Sequence, residues 1–277
     1  MHEFCESMQI PCLFPTTELP VHNEEDFYTV YLNGGMALEG EAVAQHLADD
    51  DLLARSVVQV FRDDDAAGMT AAAALRRGLA GRGVTVKDVT LTSGEAARAL
   101  LEGGDETVAA VWLREADLQA FWKQLDASNA PGRVYLSTTL YDGDYDGIPR
   151  SMRERVYFVH PQELPDKLPR LLARSSGWLR LKRIYSPENA RIQANSYFVM
   201  KMAGGALRAI RGYFNRDYFL ESVEHMVDNA NYTSVYPRMS LAPNQRFVSK
   251  GCYIARLSDA GAGGLVAVSG WLIPGSK

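Results

Sequence analysis

The run "SVVQVFRDDDAAGMTAAAALRRGLAGRG", residues 56–83, decides the fold class. Its opening six residues are short, mostly apolar and rich in β-branched side chains, which predicts a buried strand. The Ala-rich remainder places Leu75 and Leu79 four residues apart and closes on Gly83, a pattern typical of a helix and its end. The run therefore predicts one strand followed by one helix.

The same alternation continues to Pro161. Strand-like runs are "VTVKDVTLT", "TVAAVWL", "RVYLST" and "RVYFVHP". Helix-like runs between them are "GEAARALLEGG" and "EADLQAFWKQLDASNA", and the second puts Leu118, Phe121, Trp122 and Leu125 on one face. Strands that alternate with helices of about 10 to 15 residues indicate parallel βαβ units with right-handed crossovers. The sequence therefore predicts an α/β fold with a parallel sheet flanked by helices.

Beyond His160 the sequence becomes helical. Pro165 and Pro169 interrupt a first helical stretch, whereas a second has Ser186 as its predicted cap and Pro187 in its first turn. A further helix starts at Asn215. The tail runs "QRFVSKGCYIARL" and "LVAVSGWLIP" are strand-like, and the Gly-rich segment between them predicts a hairpin.

Composition excludes several classes of protein. Apolar residues make up 47% and charged residues 23% of the 277 residues, the balance of a globular protein. A net charge of −5, with Lys and Arg spread along the chain, gives no electrostatic reason to expect a nucleic-acid partner. The sequence contains no apolar run of about 18 residues, the length that would predict a membrane-spanning helix.

Three cysteines, Cys5, Cys12 and Cys252, match neither a dense disulfide framework nor a zinc site. We expect them to be structural cysteines. The alternative is that Cys5 and Cys12 form a disulfide bridge in an oxidising compartment.

The first residues predict the end of a helix, followed by the short strand "IPCLFPTT". They lack the basic and apolar segments of a secretory signal, so the chain as written is expected to be cytoplasmic. These residues and the long helix near 187–212 lack a sheet of their own. They indicate two lobes with a hinge: residues 1–35 as a remnant of lobe 1 with the hinge, 36–160 as lobe 2, 161–230 as a helical return to lobe 1, and 231–277 as a hinge crossing with a C-terminal hairpin.

Ligands of an open parallel sheet bind outside the carboxyl ends of its strands. The side chains that follow these strands are acids, a guanidinium, hydroxyls and aromatic rings, which suits hydrogen bonding to a small polar ligand. The candidate ligand contacts are Asp63, Asp64, Trp112, Arg114, Thr138, Thr139, Tyr141 and His160.

Each candidate has a structural alternative. The acids at 63–65 are also suited to cap the next helix, and Trp112 is as often a core residue as a contact. Arg114 could form a surface pair with Glu115, and His160 could simply end its strand. The basic stretch around Trp178 is suited to docking a partner or to a solvated helix face. Its cations are Arg170, Arg174, Arg180, Lys182 and Arg183.

Catalytic motifs are missing from the sequence. It has no Gly-x-Ser-x-Gly elbow, phosphate loop, His-Glu-x-x-His or dinucleotide fingerprint, which favours binding without cofactor or catalytic residues. The stretch "YDGDYDG", residues 141–147, begins like a calcium loop, but Arg153 stands where that loop requires Glu and a strand precedes it. We therefore interpret the stretch as a polar pocket rim and expect no metal site.

Three stretches resemble a known family: "IPCLFPTTELP", "FYTVYLNGGMALEGEAVAQHL" and the run at 56–86. They look like the lobe junction and second lobe of type I periplasmic solute-binding proteins of the branched-chain amino acid ABC transporter group. The tail "PNQRFVSKGCYIARL" with "GWLIP" is similar to a subset often found near c-type cytochromes. The similarity covers nearly the whole chain. It rests on diffuse sequence patterns that are typical of a fold, and not on catalytic signatures.

The resemblance implies two α/β lobes that close on a ligand, with the opening βαβ units of lobe 1 and any export signal missing, and hence a periplasmic location. Amino-acid binders carry an aromatic residue where this chain has Ala66 and Ala67, and an acid near "YDGDYDG" that is displaced here. These departures count against an amino-acid ligand. We expect a non-catalytic solute-binding protein that takes a small polar metabolite and works with an ABC permease. The alternatives are an accessory or sensory subunit that docks a cytochrome or membrane complex, and an α/β enzyme.

Overall fold

The computed structural model describes residues 1–49, 56–91, 107–123, 125, 130–141, 145–229, 234–241, 245–258 and 264–275. Its strands are β1 (Cys12–Leu13), β2 (Thr29–Asn33), β3 (Ser56–Phe61), β4 (Thr85–Thr90), β5 (Val108–Trp112), β6 (Arg133–Ser137), β7 (Val156–His160), β8 (Phe247–Ser249), β9 (Tyr253–Leu257) and β10 (Leu265–Ala267). Its helices are α1 (His2–Ser7), α2 (Gly35–Asp49), α3 (Ala66–Leu79), α4 (Glu115–Trp122), α5 (Leu168–Leu171), α6 (Ala173–Leu181), α7 (Ala190–Ala209) and α8 (Arg216–Asp228).

The chain forms two compact units and passes between them more than once. Unit 1 comprises Met1–Gly34 and Pro165–Lys250, and unit 2 comprises Gly35–Leu164 and Gly251–Lys277. The predicted division into lobe, hinge and return segments stays a prediction.

Unit 2 is built on a seven-stranded sheet in the order β10-β9-β7-β6-β5-β3-β4. The strands from β4 to β7 are parallel, whereas β9 runs antiparallel to β7 and to β10. The predicted α/β class and the five central strands are confirmed, as is the tail hairpin. The predicted helix over "GEAARALLEGG" lies outside the described residues.

The helices α2 and α3 pack closely against each other in unit 2. A Cβ atom at Gly40 would collide with the carbonyl oxygen of Ala71, so α2 needs glycine at this crossing. Ala71, Ala74 and Leu75 are fully buried on the facing side of α3. The Ala-rich composition of the second half of the 56–83 run therefore serves close helix packing.

Unit 1 contains the parallel sheet β1-β2-β8. Its core joins this sheet to the long helix α7 and to α8 through buried residues that include Val30, Phe198, Leu220 and Val248. The predicted helix start at Asn215 is confirmed, since its side chain accepts from two backbone N–H groups of α8. Ser186 makes no such capping bond: its hydroxyl binds the side chains of Glu188 and Asn189, and a 3-10 turn at Pro187–Asn189 precedes α7.

Of the two alternatives left open for the cysteines, the structure contains the disulfide. Cys5 in α1 and Cys12 in β1 form a disulfide, whereas Cys252 is a buried free thiol. Burial, together with the charges of Glu39 and Glu41, raises the pKa of Cys252 well above its usual value. Cys252 is therefore a packed, protonated thiol.

Candidate functional site

The candidate site is the carboxyl edge of the parallel sheet in unit 2. The strands β3, β5, β6 and β7 are direct neighbours in the sheet and point the same way. Because neighbouring strands lie about 4.8 Å apart, the ends of β3 and β7 are separated by roughly 15 Å. The segments that follow these four strands thus lie side by side along one edge of the sheet.

Arg62 and Asp64 form a bidentate ion pair directly after β3. The Arg62 guanidinium donates from Nε and Nη2 to the two carboxylate oxygens of Asp64, both at 2.7 Å, and from Nη1 to Asp117 at 3.3 Å. The hydrogen bond from Arg62 lowers the pKa of Asp64, and the hydrogen bond to Asp64 raises the pKa of Arg62. Both side chains keep their charge, and Asp63 beside them is exposed.

Asp65 links the β3 segment to the β5 segment. Its Oδ1 atom accepts from the backbone N–H of Ala67 at 3.1 Å and thereby caps α3. The Arg114 guanidinium donates from Nε to Asp65 Oδ2 at 3.1 Å and from Nη2 to Oδ1 at 3.4 Å. Of the three consecutive acids that were predicted as possible caps, Asp65 is the one whose side chain binds the helix N-terminus.

Trp112 lies in the core and does not reach the site edge. Its side chain is fully buried, and its indole N–H donates to Gln59 Oε1 at 3.2 Å. Gln59 is itself buried and donates to the carbonyl of Ala72 at 3.1 Å. Because Gln59 supplies the polar partner that a buried indole needs, Trp112 belongs to the packing between sheet and helix, and we leave it out of the ligand contacts proposed below.

Thr138 and His160 contact each other at the ends of β6 and β7. The Thr138 hydroxyl lies 2.9 Å from His160 Nδ1 and 3.1 Å from the carbonyl of Val159. His160 Nε2 lies 3.2 Å from the carbonyl of Glu163, and a carbonyl only accepts, so Nε2 carries a hydrogen. Both side chains are buried, so the pair supports the strand ends and offers little surface to a ligand.

Thr139 is bound to a buried carboxylate that the sequence did not identify. The Thr139 hydroxyl donates to Glu39 Oε1, and Glu39 in α2 is 1% exposed. The backbone N–H groups of Thr139 and Leu140 both donate to Ser137 Oγ, at 3.0 and 3.1 Å. The available signal was Glu39 in the mostly apolar run "GGMALEGEAVA", because an acid at a position that faces the core requires a polar partner.

Tyr141 follows β6 and belongs to the hydrophobic core of unit 2. Its side chain is 3% exposed, and its ring lies 5.8 Å from that of Tyr145. Asp142 and Asp144 of the calcium-like stretch lie outside the described residues, whereas Asp146 accepts from Arg153 Nη2 at 3.1 Å.

Unit 1 holds a cluster of potential metal ligands: His2, Glu6 and Asp26. The Glu6 carboxylate accepts from the backbone N–H groups of Phe27, Tyr28 and Thr29 at 2.9, 3.0 and 2.7 Å. His2 Nε2 lies 3.3 Å from Asp26 Oδ2. The hydrogen bonds of Glu6 and the contact between His2 and Asp26 already join α1 to the segment that leads into β2. The cluster is therefore explained as a structural clamp.

In the part of the chain that the structure describes, no helix is both long enough and apolar enough to span a bilayer. The described edge offers positive and negative charges, a half-exposed hydroxyl and backbone groups within one small area. This chemistry suits a polar ligand that both donates and accepts hydrogen bonds.

No protein-family model matches the chain, and no curated protein matches it either. Solved structures do match. A branched-chain amino acid ABC transporter protein from Thermus thermophilus with bound valine is 12% identical, with a TM-score of 0.68, over 98% of this chain and 74% of that chain. A type 1 periplasmic binding protein from Bordetella pertussis Tohama I is 14% identical, with a TM-score of 0.68, over 96% of this chain and 76% of that one.

The protein has the type I periplasmic-binding-protein fold. A fatty acid ABC transporter substrate-binding protein from Thermomonospora curvata shares it at 12% identity and a TM-score of 0.67, over 98% of this chain and 71% of that chain. These structures match nearly all of this chain with about three quarters of their own length. The Thermus thermophilus protein has bound valine and the Thermomonospora curvata protein is a fatty acid transporter component, so this fold does not by itself specify the ligand.

Proposed function

We propose that this protein binds a small polar solute at the carboxyl edge of the unit 2 sheet, without catalysis, for an ABC-type uptake or sensing system. The observation that supports this most directly is the row of paired groups after neighbouring parallel strands: Arg62 with Asp64, Arg114 with Asp65, and Thr139 with Glu39. Side chains that are already held in place lose little conformational entropy on binding.

The ion pairs fit a ligand that carries charge or strong hydrogen-bonding groups. Arg114 is 47% exposed and Arg62 is 37% exposed, so both guanidinium groups are accessible while their acids hold them. A ligand carboxylate would share the guanidinium with the acid, and a ligand N–H or ammonium would bind the same acid. Asp63, Thr138, His160 and Tyr141 would shape or support this site.

The ligand class is an amino acid or a related polar metabolite. Similar structures include a branched-chain amino acid transporter protein with bound valine. Ala66 and Ala67 offer no aromatic wall against an aliphatic side chain, which favours a more polar ligand than valine. An ABC permease is the partner that this function requires.

We propose a periplasmic location. The disulfide between Cys5 and Cys12 supports an oxidising compartment, and a structure of the same fold is a periplasmic binding protein.

A thermal-shift screen of amino acids, amides, small carboxylates and related polar metabolites tests this proposal. A ligand at about 100 times its Kd adds roughly 2.7 kcal/mol of stability, a rise in Tm of several degrees. We expect Arg114→Ala to remove the shift. Arg76→Ala is the matched control, because Arg76 is similarly exposed (52%) and also pairs with a carboxylate, that of Asp88. A broad panel without any shift contradicts solute binding.

A second function is an accessory or sensory subunit that docks a partner such as a c-type cytochrome or a membrane complex. The cationic helical surface around Trp178 favours it. Absence of any ligand-induced shift, together with co-purification of a cytochrome or membrane subunit, would support this second function over the first.

A further inference from the structure

Positive charge is concentrated in one segment of unit 1. Residues 165–216 contain eleven Lys or Arg side chains and two carboxylates, although the whole chain has a net charge of −5. The remaining sequence is therefore strongly acidic. A segregated charge of this kind creates a local positive potential on an otherwise negative molecule.

The end of α6 projects part of this segment into solvent. The backbone N–H of Ile184 donates to the carbonyl of Leu179 at 3.0 Å, and that of Arg183 donates to Arg180 at 3.0 Å. Arg183 has a φ of 58°, a left-handed conformation that favours glycine over residues with a side chain. The helix therefore ends in a tight turn whose apex carries a long cationic side chain.

Five consecutive residues at this turn, Arg180–Ile184, form what we call the basic–aliphatic tip. All five side chains are exposed, and Leu181 and Ile184 reach 78% and 55% exposure. The tip contains three cations and no acid. Two large aliphatic side chains displayed among three cations on a turn are the chemistry of a surface that meets both phosphate and hydrocarbon.

Aromatic rings lie next to the basic–aliphatic tip. The Arg180 guanidinium lies 4.6 Å from the centre of the Tyr185 ring, and the Trp178 ring lies 5.5 Å from that of Tyr197. Trp178 and Tyr185 are half-buried, so each keeps part of its ring near the solvent. Amphipathic rings of this type favour the headgroup level of a bilayer.

We propose that the basic–aliphatic tip docks on the surface of an anionic phospholipid bilayer. Arg180, Lys182 and Arg183 would contact headgroup phosphates, while Leu181 and Ile184 would enter the boundary with the acyl chains. The acid nearest in sequence, Glu188, accepts a hydrogen bond from the Ser186 hydroxyl, which holds it locally. This surface does not depend on solute binding at the unit 2 sheet.

A bilayer fits the tip better than a protein partner does. A stable protein interface takes about 20 to 30 residues a side around a buried centre. The tip is a projecting turn of five exposed residues, far fewer than such an interface takes. A turn that inserts a few side chains into a fluid surface needs neither a large area nor a matching shape.

Vesicle co-sedimentation of the full chain tests the proposal. We expect binding to phosphatidylcholine vesicles that contain about a third phosphatidylglycerol, and none to pure phosphatidylcholine, at about 0.1 M salt. Each cation near such a surface contributes about fivefold, so the double variant Lys182→Glu/Arg183→Glu should bind at least about 25-fold more weakly. Leu181→Ser/Ile184→Ser should weaken binding at least about tenfold while leaving all cations in place.

The matched control is Arg82→Glu/Lys123→Glu, which makes the same change in net charge at exposed residues of unit 2. We expect its vesicle binding to stay within about threefold of the wild type. The proposal is overturned if the wild-type protein does not bind anionic vesicles. It is also overturned if the control loses as much binding as the Lys182→Glu/Arg183→Glu variant. Competition by inorganic phosphate together with unchanged binding of the Leu181→Ser/Ile184→Ser variant identifies a simple phosphate site and also overturns it.

Binding to an acidic protein but not to anionic vesicles assigns the tip to a protein partner instead. Ligand-induced thermal shifts are measured without vesicles, so failure of the bilayer proposal and failure of solute binding are separate results.

Discussion

The Asp65 carboxylate caps α3 and at the same time accepts two hydrogen bonds from Arg114, 49 residues further along the chain. One side chain thus fixes both the start of a helix and the direction of a guanidinium at the end of the neighbouring strand. The local cap and the candidate ligand contact are therefore coupled, and a change at Asp65 affects both.

We expect Asp65→Ala to lower the free energy of unfolding by about 1 to 2 kcal/mol, because the first turn of α3 loses its side-chain acceptor. Asp65→Asn keeps an oxygen for the Ala67 N–H and should lose less than about 1 kcal/mol, since Arg114 is about half exposed and its ion pair is screened. Urea denaturation measures both variants. Asp63→Ala, at an exposed neighbour, is the control; equal effects at positions 63 and 65 would contradict the capping role.

The Glu6 clamp predicts a stability that depends on pH. Burial opposes ionisation of Glu6, but three backbone N–H donors outweigh it and lower its pKa below the usual 4.5. A carboxylate whose folded pKa is lowered stabilises the protein above its unfolded pKa, and this contribution is lost as pH falls through the folded pKa. We therefore expect stability to fall below about pH 4.5 and Glu6→Gln to show a shallower fall. Unfolding free energies across this range measure the difference, and parallel curves for the two proteins would argue against the clamp.

The regular part of the fold follows from the sequence because its signal is local. Short β-branched runs and Ala-rich helices each carry their own periodicity, so the strands β3 to β7 and the helix α3 are predicted from residues 56–161 alone. The order of strands in the sheet is set by contacts between distant residues, and periodicity holds no information about it.

The tail of the chain shows a limit of predicting strands from local sequence patterns. The run "QRFVSKGCYIARL" reads as one strand, but it forms β8 in unit 1 and β9 in unit 2. The break falls at Gly251, where a Cβ atom would collide with the carbonyl of Leu272 and with the Trp271 ring. A strand pattern does not reveal a close approach by another part of the chain, and a glycine within a strand is the one local sign of it.

The sequence predicts which residues follow each strand, but it does not predict which of their side chains are buried. Trp112 and Arg114 follow the same strand, yet one is fully buried against Gln59 and the other is exposed beside Asp65. Glu39 was missed because its partner, Thr139, is 100 residues away. The acid in its apolar run shows that Glu39 requires a polar partner, but the local sequence does not show that Thr139 provides it.

Arg246 offers a test of the core of unit 1. Its side chain is 7% exposed and donates to Glu224 at 2.5 Å and to the carbonyl oxygens of Thr29 and Phe27. Arg246→Ala leaves these acceptors without their donor, and we expect a loss of about 3 to 5 kcal/mol in unfolding free energy. Glu224→Gln keeps a neutral acceptor and should lose about 1 kcal/mol. Denaturation curves of the two variants provide the comparison, and equal losses would show that the Glu224 charge, more than the buried guanidinium, carries the stability.

The disulfide between Cys5 and Cys12 closes a short loop, with a sequence separation of 7. In the chain-entropy description, a loop of about this length stabilises the folded state by roughly 2.5 kcal/mol at 25 °C. We expect Cys5→Ala/Cys12→Ala to lose about this amount and dithiothreitol to destabilise the wild type equally, while having no effect on the double variant. Cys252 is the internal control, because its buried thiol should react with a thiol reagent only after unfolding. A wild-type protein whose unfolding curve is unchanged by dithiothreitol, despite complete reduction of the bond, would show that the bridge contributes nothing to stability.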